Sequence, residues 1–358
     1  MDSKNEILRT LRECRGAVSG QELSEQLGIS RTAVWKHIRA LQEEGYAIEA
    51  ASKKGYRLVG VPDTIAAREV GSRLNTKRMG KTIYYFETID STNQYAKRIA
   101  EGEGSSGRGK GGMRPAHDGM ADAFSAGDTA QSLARDGTLI IADEQTAGKG
   151  RSGRHWVTPP KEAVAFSLIL RPGLAPERIS MVTLVMGLAV ADAFRSLYGI
   201  DAGIKWPNDI VAKGKKLCGI LTEMSAEIGE VHYIVIGVGI NANLTAFPEE
   251  IRSIATSLKL ETGKDINRAE LIAKVMENFE RLYEVFEKSG SLKELKDAYQ
   301  AVCMNVDRPV RVLDPKGAYT GTARGIDDEG NLIVETGEGA CRKVSSGEVS
   351  VRGIYGYV

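Results

Sequence analysis

Gly148-Lys149-Gly150-Arg151-Ser152-Gly153-Arg154-His155-Trp156 alternates glycines with cations and closes on an indole. Glycine lets the backbone take positive φ and come close to a ligand, and Lys149, Arg151 and Arg154 bring charge that matches carboxylate or phosphate oxygens. The run reads as an anion cradle with Trp156 placed to cover a planar or apolar group, although basic glycine-rich loops also contact nucleic acid. Its flanks narrow the choice. Gly137 to Asp143 predicts a buried strand that leads into Glu144-Gln145-Thr146, and Val164 to Leu170 supplies a second strand, so sheet pins the loop at both ends.

Other unusual stretches lie on either side. Ile204-Lys205-Trp206-Pro207-Asn208-Asp209-Ile210 puts a lysine at a strand end, before a rigid Trp-Pro turn and two polar side chains. Lys216-Leu217-Cys218-Gly219-Ile220-Leu221-Thr222-Glu223 reads as the hairpin return. Tyr233 to Asn243 is an apolar strand ending in Gly237-Val238-Gly239-Ile240-Asn241, where glycines admit a flat group and Asn241 offers donor and acceptor for an adenine-like edge. Upstream, Thr82 to Glu87 predicts a strand. Asp90-Ser91-Thr92-Asn93-Gln94 then opens a helix whose hydroxyls either cap it or donate to a ligand oxygen held there. Ala175 to Tyr198 is a helix so apolar from Met181 to Phe194 that it must lie in the core. Residues 101–136, rich in Gly, Ser, Ala, Asp and Arg without periodicity, read as a mobile surface insertion.

The two ends read as smaller units. Ile7, Leu8 and Leu11 recur at helical spacing; Ser19-Gly20 opens a second helix that stops at Gly28, and Ser30 caps a third running from Arg31 to Glu44. Two short strands follow, with the basic tip Ser52-Lys53-Lys54-Gly55 between them, so the order is that of a winged helix-turn-helix; the alternative is a small interaction module. No acid occurs from Ser30 to Leu41, which suits phosphate contact and major-groove binding. Val61-Pro62-Asp63 marks a boundary. From Val306 onward, short strands at Pro309–Leu313, Thr320–Ile326, Asn331–Glu335, Arg342–Val344 and Val349–Tyr355 suggest a small β-barrel, after amphipathic helices at Asn267–Lys288 and Leu292–Met304.

A net charge of +1 over 358 residues excludes a globally basic nucleic-acid coat, so any DNA contact must be a local patch. Cys14, Cys218, Cys303 and Cys341 are too scattered for a zinc knuckle or a disulfide framework. The N-terminus is polar and no uninterrupted apolar stretch reads as membrane-spanning, so a cytoplasmic protein is expected.

Together, Ser91-Thr92-Asn93, Gln145 to Trp156, Lys205 to Asp209, Lys216 to Ile220 and Gly237 to Asn241 resemble the biotin protein ligase family, and the N-terminal unit resembles that of its bifunctional members, which also repress the biotin operon. The resemblance covers nearly all of the chain outside residues 101–136. It implies an α+β multidomain protein: a winged helix-turn-helix domain (1–62), a central α/β ligase domain with a class II synthetase-like mixed sheet (63–304, with 101–136 a flexible insertion) and an SH3-like β-barrel (305–358).

Carried over by position, Ser91, Thr92, Asn93, Gln145, Lys149, Gly150, Arg151, Lys205 and Gly219 would bind biotin. Arg151, Arg154, Trp156, Asn208 and Asn241 would hold ATP and the adenylate. Lys205 and Arg151 would be catalytic, Lys205 stabilising charge as the biotin carboxylate attacks the α-phosphate. Ser30, Arg31, Thr32, Lys36, His37, Arg39, Lys53 and Lys54 would contact DNA. The resemblance further implies ATP with Mg²⁺ carried on it and no metal site of the protein's own. Its implied partners are a biotin carboxyl carrier protein or domain, operator DNA and, when liganded, a second copy of the chain, with no membrane. Lys149 departs from the family, which more often has arginine there. Two alternatives are a regulator whose ligase-like domain only senses its ligand, which the intact Lys205, Arg151 and Gln145 disfavour, and a lipoate–protein ligase, which the basic loop and the Lys-Trp-Pro-Asn motif disfavour.

Chemistry alone points the same way. Carboxylate and ATP are both anionic, so joining them needs cations where negative charge accumulates. No general base is needed for that step, because a carboxylate is already a nucleophile at neutral pH.

Overall fold

Ser19 and Ser30 do what their positions predict: each side chain accepts a first-turn N–H, from Glu22 at 3.0 Å and from Ala33 at 3.2 Å. Gly28 closes the second helix in the left-handed region at φ 64°, where a glycine costs nothing. The result is Ser3–Glu13 (α1), Gly20–Leu27 (α2) and Arg31–Glu43 (α3), then a hairpin of Ala47–Ala51 (β1) and Gly55–Gly60 (β2). Ile7, Leu8, Leu11, Leu23, Val34, Ile38 and Leu41 form a hydrophobic core of their own. The computed structural model describes residues 3–14, 16–51, 55–102, 134–227, 229–314, 317–337, 339–346 and 350–353. Lys53, Lys54 and all but the ends of the 101–136 insertion lie outside them.

Ala67–Gly71 (α4) carries the N-terminal unit on the rest of the chain through charge. Glu69, 1% exposed, accepts two bonds from Arg12 Nη2 (3.0 and 2.9 Å) and one from Arg73 Nε (2.7 Å). Arg68 pairs with Glu44 at 2.5 Å.

The centre is a seven-stranded sheet of Ile83–Ile89 (β3), Thr138–Gln145 (β4), Ala163–Leu170 (β5), Gly203–Lys205 (β6), Asp209–Ala212 (β7), Lys215–Glu227 (β8) and Glu230–Asn241 (β9). Its order is β3-β4-β5-β9-β8-β7-β6, with β3 and β4 parallel and the remaining pairs antiparallel. Thr92–Ala100 (α5) covers one face. The other is covered by Ile179–Tyr198 (α6) and Arg268–Ser289 (α8), with the short Leu258–Thr262 (α7) between them in sequence. Pro176–Tyr198 is long and apolar enough to cross a membrane by length and composition alone, although Glu177, Arg178, Asp192 and Arg195 interrupt it. Every residue from Met181 to Ala191 is nevertheless buried in the core that α6 shares with the sheet and α8.

Lys296–Val302 (α9) is shorter than the helix expected from Leu292: the chain first makes a turn in which the Leu295 N–H donates to the Leu292 carbonyl (2.8 Å), while the Leu292 N–H donates to the Asp328 carbonyl (2.8 Å). Pro309–Leu313 (β10), Tyr319–Ile326 (β11), Leu332–Glu335 (β12), Cys341–Val344 (β13) and Ser350–Gly353 (β14) complete the fold as a five-stranded antiparallel SH3-like sheet. Val310, Val312, Leu332 and Val334 join the central core rather than forming one apart.

One carboxylate fixes the segment before β3. Glu280 on α8 accepts N–H bonds from Lys77 (2.6 Å), Arg78 (2.6 Å) and Met79 (2.9 Å). Burial by itself would raise its pKa, but the three donors outweigh burial and hold it below the ordinary carboxylate value. A depressed pKa means stability that is present above the unfolded-state value and lost as pH falls through the folded-state one. Glu280→Gln is therefore expected to lose about 2 kcal/mol in urea unfolding at neutral pH. That deficit should close in acid; one that stayed constant with pH would refute the assignment.

Candidate functional site

After β4 the basic loop folds back on itself. Gly150 N–H donates to the Arg154 carbonyl (2.7 Å) and Trp156 N–H to the Gly148 carbonyl (2.9 Å), around a 3-10 turn at Arg151–Gly153. Among its glycines Gly153 alone takes positive φ, at 73°. Gly148 is required for a different reason: a Cβ there would lie 2.4 Å from the Trp156 carbonyl oxygen.

The fold-back lays the indole of Trp156 across Gly239 of β9, where a Cβ would stand 2.3 Å from ring atom Cε2. Gly237 takes Asn93 in the same way, its Cβ position 2.2 Å from Oδ1. The sequence expects these two glycines to admit a flat part of a ligand. The flat groups they admit are the protein's own.

Beneath the loop is a cavity of ≈ 50 Å³, room for a few waters. Lys149, Gly150, Arg151 and Trp156 reach it from the loop, Ser91, Thr92 and Asn93 from the start of α5, Gln145 from β4, and Asn208, Lys216 and Gly219 from β7–β8 and the turn before them. Phe166, Ile220 and Val238 supply apolar wall. The polar side is tightly wired. Gln145 Oε1 accepts from Thr92 N–H (2.9 Å) and Thr92 Oγ1 (3.1 Å), Ser167 Oγ donates to Asn93 Oδ1 (2.6 Å) and lies 2.7 Å from Thr92 Oγ1, and Asn93 Nδ2 donates to Glu223 (2.8 Å). Ser91 stands as N-cap of α5 without a side-chain capping bond.

Arg151 donates to Asn208 Oδ1 (3.1 Å) and, from the C-terminal unit, to the Ser346 carbonyl (2.8 Å). Burial lowers its pKa from the ordinary arginine value; Asp209 opposes the shift and Arg154 adds to it. A guanidinium that remains charged in such a place favours an arriving anion.

Three expected residues do not line the cavity. Arg154 is exposed on the outer side of the loop. Asn241 is buried with its Nδ2 committed to the Thr256 carbonyl (2.9 Å) and the Lys216 carbonyl (3.4 Å), so it ties the strand to a neighbouring segment. Lys205, 9% exposed in the three-residue β6, is outside the lining as well.

Besides Lys149 from the loop, the lysine that lines it is Lys216, on β8 two strands along from β6. Its Nζ pairs with Asp209 at 2.6 Å and lies 5.5 Å from the Trp156 ring centroid. A Cβ on Gly219 would meet Lys216 Nζ at 3.1 Å, so the side chain runs over that glycine. Sequence reading quoted the Lys216-Leu217-Cys218-Gly219 stretch but gave no role to its lysine; the signal available was the glycine three positions on. A cleft of ≈ 720 Å³ near Tyr198, Gly203, Lys213 and Cys303 is far larger, yet it holds none of these residues.

On α3, Arg31, Thr32, Lys36 and Arg39 are exposed, Ser30 caps the helix, and His37 is half-buried away from the others.

Comparison with known proteins adds a lineage. A Biotin/lipoate A/B protein ligase family model matches residues 122–241, an HTH domain model residues 4–57, and a Biotin protein ligase C terminal domain model residues 306–352. The chain is 37% identical over 336 residues to the Bifunctional ligase/repressor BirA of Bacillus subtilis (strain 168), spanning 93% of this chain and 94% of that protein. It is 29% identical over 335 residues to the protein of the same name from Escherichia coli (strain K12), spanning 93% and 92%. Its fold is similar to that of a biotin protein ligase from Aquifex aeolicus in complex with biotin and ATP, with a TM-score of 0.60 and 29% identity over 76% of this chain and 99% of that one.

Proposed function

The chain belongs to the biotin protein ligase family, and on that footing we propose that its central cavity joins biotin to AMP and then passes the biotinyl group to a lysine of a carrier protein. It is an ATP-dependent biotin–protein ligase, and through its helix-turn-helix unit a DNA-binding repressor. The observation that carries the ligase reading is the meeting of Lys216 and Arg151 at a cavity whose other walls are the Thr92–Gln145 network and the Trp156 indole.

In the first half, a biotin carboxylate oxygen attacks the α-phosphorus of ATP, the α–β P–O bond breaks and pyrophosphate leaves. Both partners are anionic and Mg²⁺ comes with ATP as part of the substrate. Lys216 neutralises the charge that builds between carboxylate and phosphorus, the role that sequence reading gave to Lys205. Arg151 holds the α-phosphate, Thr92, Asn93 and Gln145 supply partners for a ureido ring, and Trp156 shields the adenylate from water. Lys216 and Trp156 face each other across the cavity wall, the ammonium 5.5 Å from the ring centroid, so both are placed to meet an arriving ligand. In the second half the carrier lysine attacks the acyl carbon and AMP leaves.

The same adenylate serves as corepressor for a cytoplasmic, ligand-dependent dimer on two-fold operator DNA. Incubation with MgATP and either biotin or lipoate, followed by pyrophosphate release and acyl transfer to a carrier, tests the ligase reading. Biotin-dependent release is expected; release with lipoate only, or with neither acid, would overturn it.

A further inference from the structure

Trp35 stands on the recognition helix α3 with no structural employment. The core of the N-terminal unit takes Val34, Ile38 and Leu41 from an adjoining face of that helix, and Trp35 is left 51% exposed. A single exposed apolar side chain is ordinary on a protein surface. This one has particular neighbours. At 100° per residue, Arg31, Trp35, Arg39, Thr32 and Lys36 follow one another around an arc of about 140°, and all five are exposed. The indole thus sits inside the cationic face, with the Arg39 guanidinium 5.5 Å from its ring centroid.

Resting on the reading of the chain as a DNA-binding repressor, we propose that Trp35 is a base-reading residue whose indole packs on the 5-methyl group of a thymine in the major groove. The chemistry selects that partner. Phosphates and guanine edges call for the cations beside it, whereas an indole offers a flat apolar face and one N–H donor. In the major groove the matching apolar feature is the thymine methyl. Charge selects the occupant of the face as well: its first turns carry three cations and no acid, the exposed Glu43 entering the arc only at the last residue of the helix, and that balance fits a polyanion. The Arg39 contact holds the ring in place while leaving that guanidinium free to reach a phosphate.

The test uses the full-length protein with biotin and MgATP to select sequences from a randomised duplex library, in parallel with Trp35→Ala. The wild-type selection is expected to fix a thymine at one position of each half-site, and Trp35→Ala to lose that preference with a roughly tenfold weaker affinity. Replacing that thymine by uracil removes only the methyl group. It should cost the wild type about fourfold, the worth of one buried methyl, and cost Trp35→Ala nothing. An unchanged preference in Trp35→Ala, or an equal uracil penalty in both proteins, would overturn the proposal alone. If the wild type enriches no sequence, the repressor reading falls and this one with it. Unchanged thermal unfolding and biotin-dependent pyrophosphate release in Trp35→Ala control for folding.

Discussion

Lys216→Ala is expected to lower biotin-dependent pyrophosphate release by about 10²- to 10³-fold, the loss typical of removing one charge-stabilising group from a transition state. The Lys216 side chain is 25% exposed, its ammonium pairs with Asp209 at 2.6 Å, and it lines the cavity in which we propose that carboxylate and α-phosphate meet. Its charge acts when negative charge builds up, so the loss belongs to kcat of the first half-reaction. Preformed biotinyl-AMP should therefore restore much of the transfer to carrier. Lys205→Ala, altering a buried residue outside the cavity, is expected to lower stability while turnover stays within a few-fold. The opposite pattern, with Lys205→Ala inactive but folded and Lys216→Ala near normal, would return the role to Lys205.

Asp143→Ala should be the most destabilising single change, about 3–5 kcal/mol, against a total stability on the order of 5–15 kcal/mol. Arg268 on α8 is 1% exposed and its Nη1 donates to Asp143 Oδ1 at 2.5 Å and to the Ala163 carbonyl at 3.2 Å. Its Nε and Nη2 have no hydrogen-bond partner, and Asp63, 3.8 Å from Nη2, is a distant second anion. Removing Asp143 thus strands a guanidinium in the core and deprives the Tyr85 hydroxyl of its acceptor (2.6 Å). Urea unfolding reads the loss directly. Asp143→Ala with Arg268→Met should recover most of it, because deleting both charges removes the desolvation penalty along with the pair. A single mutant within 1 kcal/mol of wild type would show that the pair is not holding β4 to α8.

The local signals in the sequence were strong. Ser19, Ser30 and Gly28 bound their helices by chemistry that acts within four residues, and the apolar run of α6 has nowhere to go but a core. The strand-bounded basic loop and the start of α5 likewise come together as their residue types suggest. Lys205 is different. A lysine before a Trp-Pro turn is more conspicuous in a sequence than one in a hairpin return, and conspicuousness carries no information about where a side chain lies. For Asn241 the sequence left open how its amide would be used, because it can satisfy an adenine edge or a neighbouring carbonyl, and its Nδ2 here donates to the Thr256 carbonyl.

Sequence by itself determined the helices and hairpin of the N-terminal unit, the core helix α6, the short strands of the C-terminal unit and the strand-bounded basic loop, because periodicity, caps and glycine spacing are read from neighbours along the chain. Tertiary structure alone decided that Lys216 lines the cavity, that Gly237 and Gly239 seat Asn93 and Trp156, and that Arg151 is steadied by Ser346, 195 residues away. Those outcomes depend on strand register and on the order in which β5, β9, β8 and β7 lie side by side, where distance along the chain says nothing about distance in space.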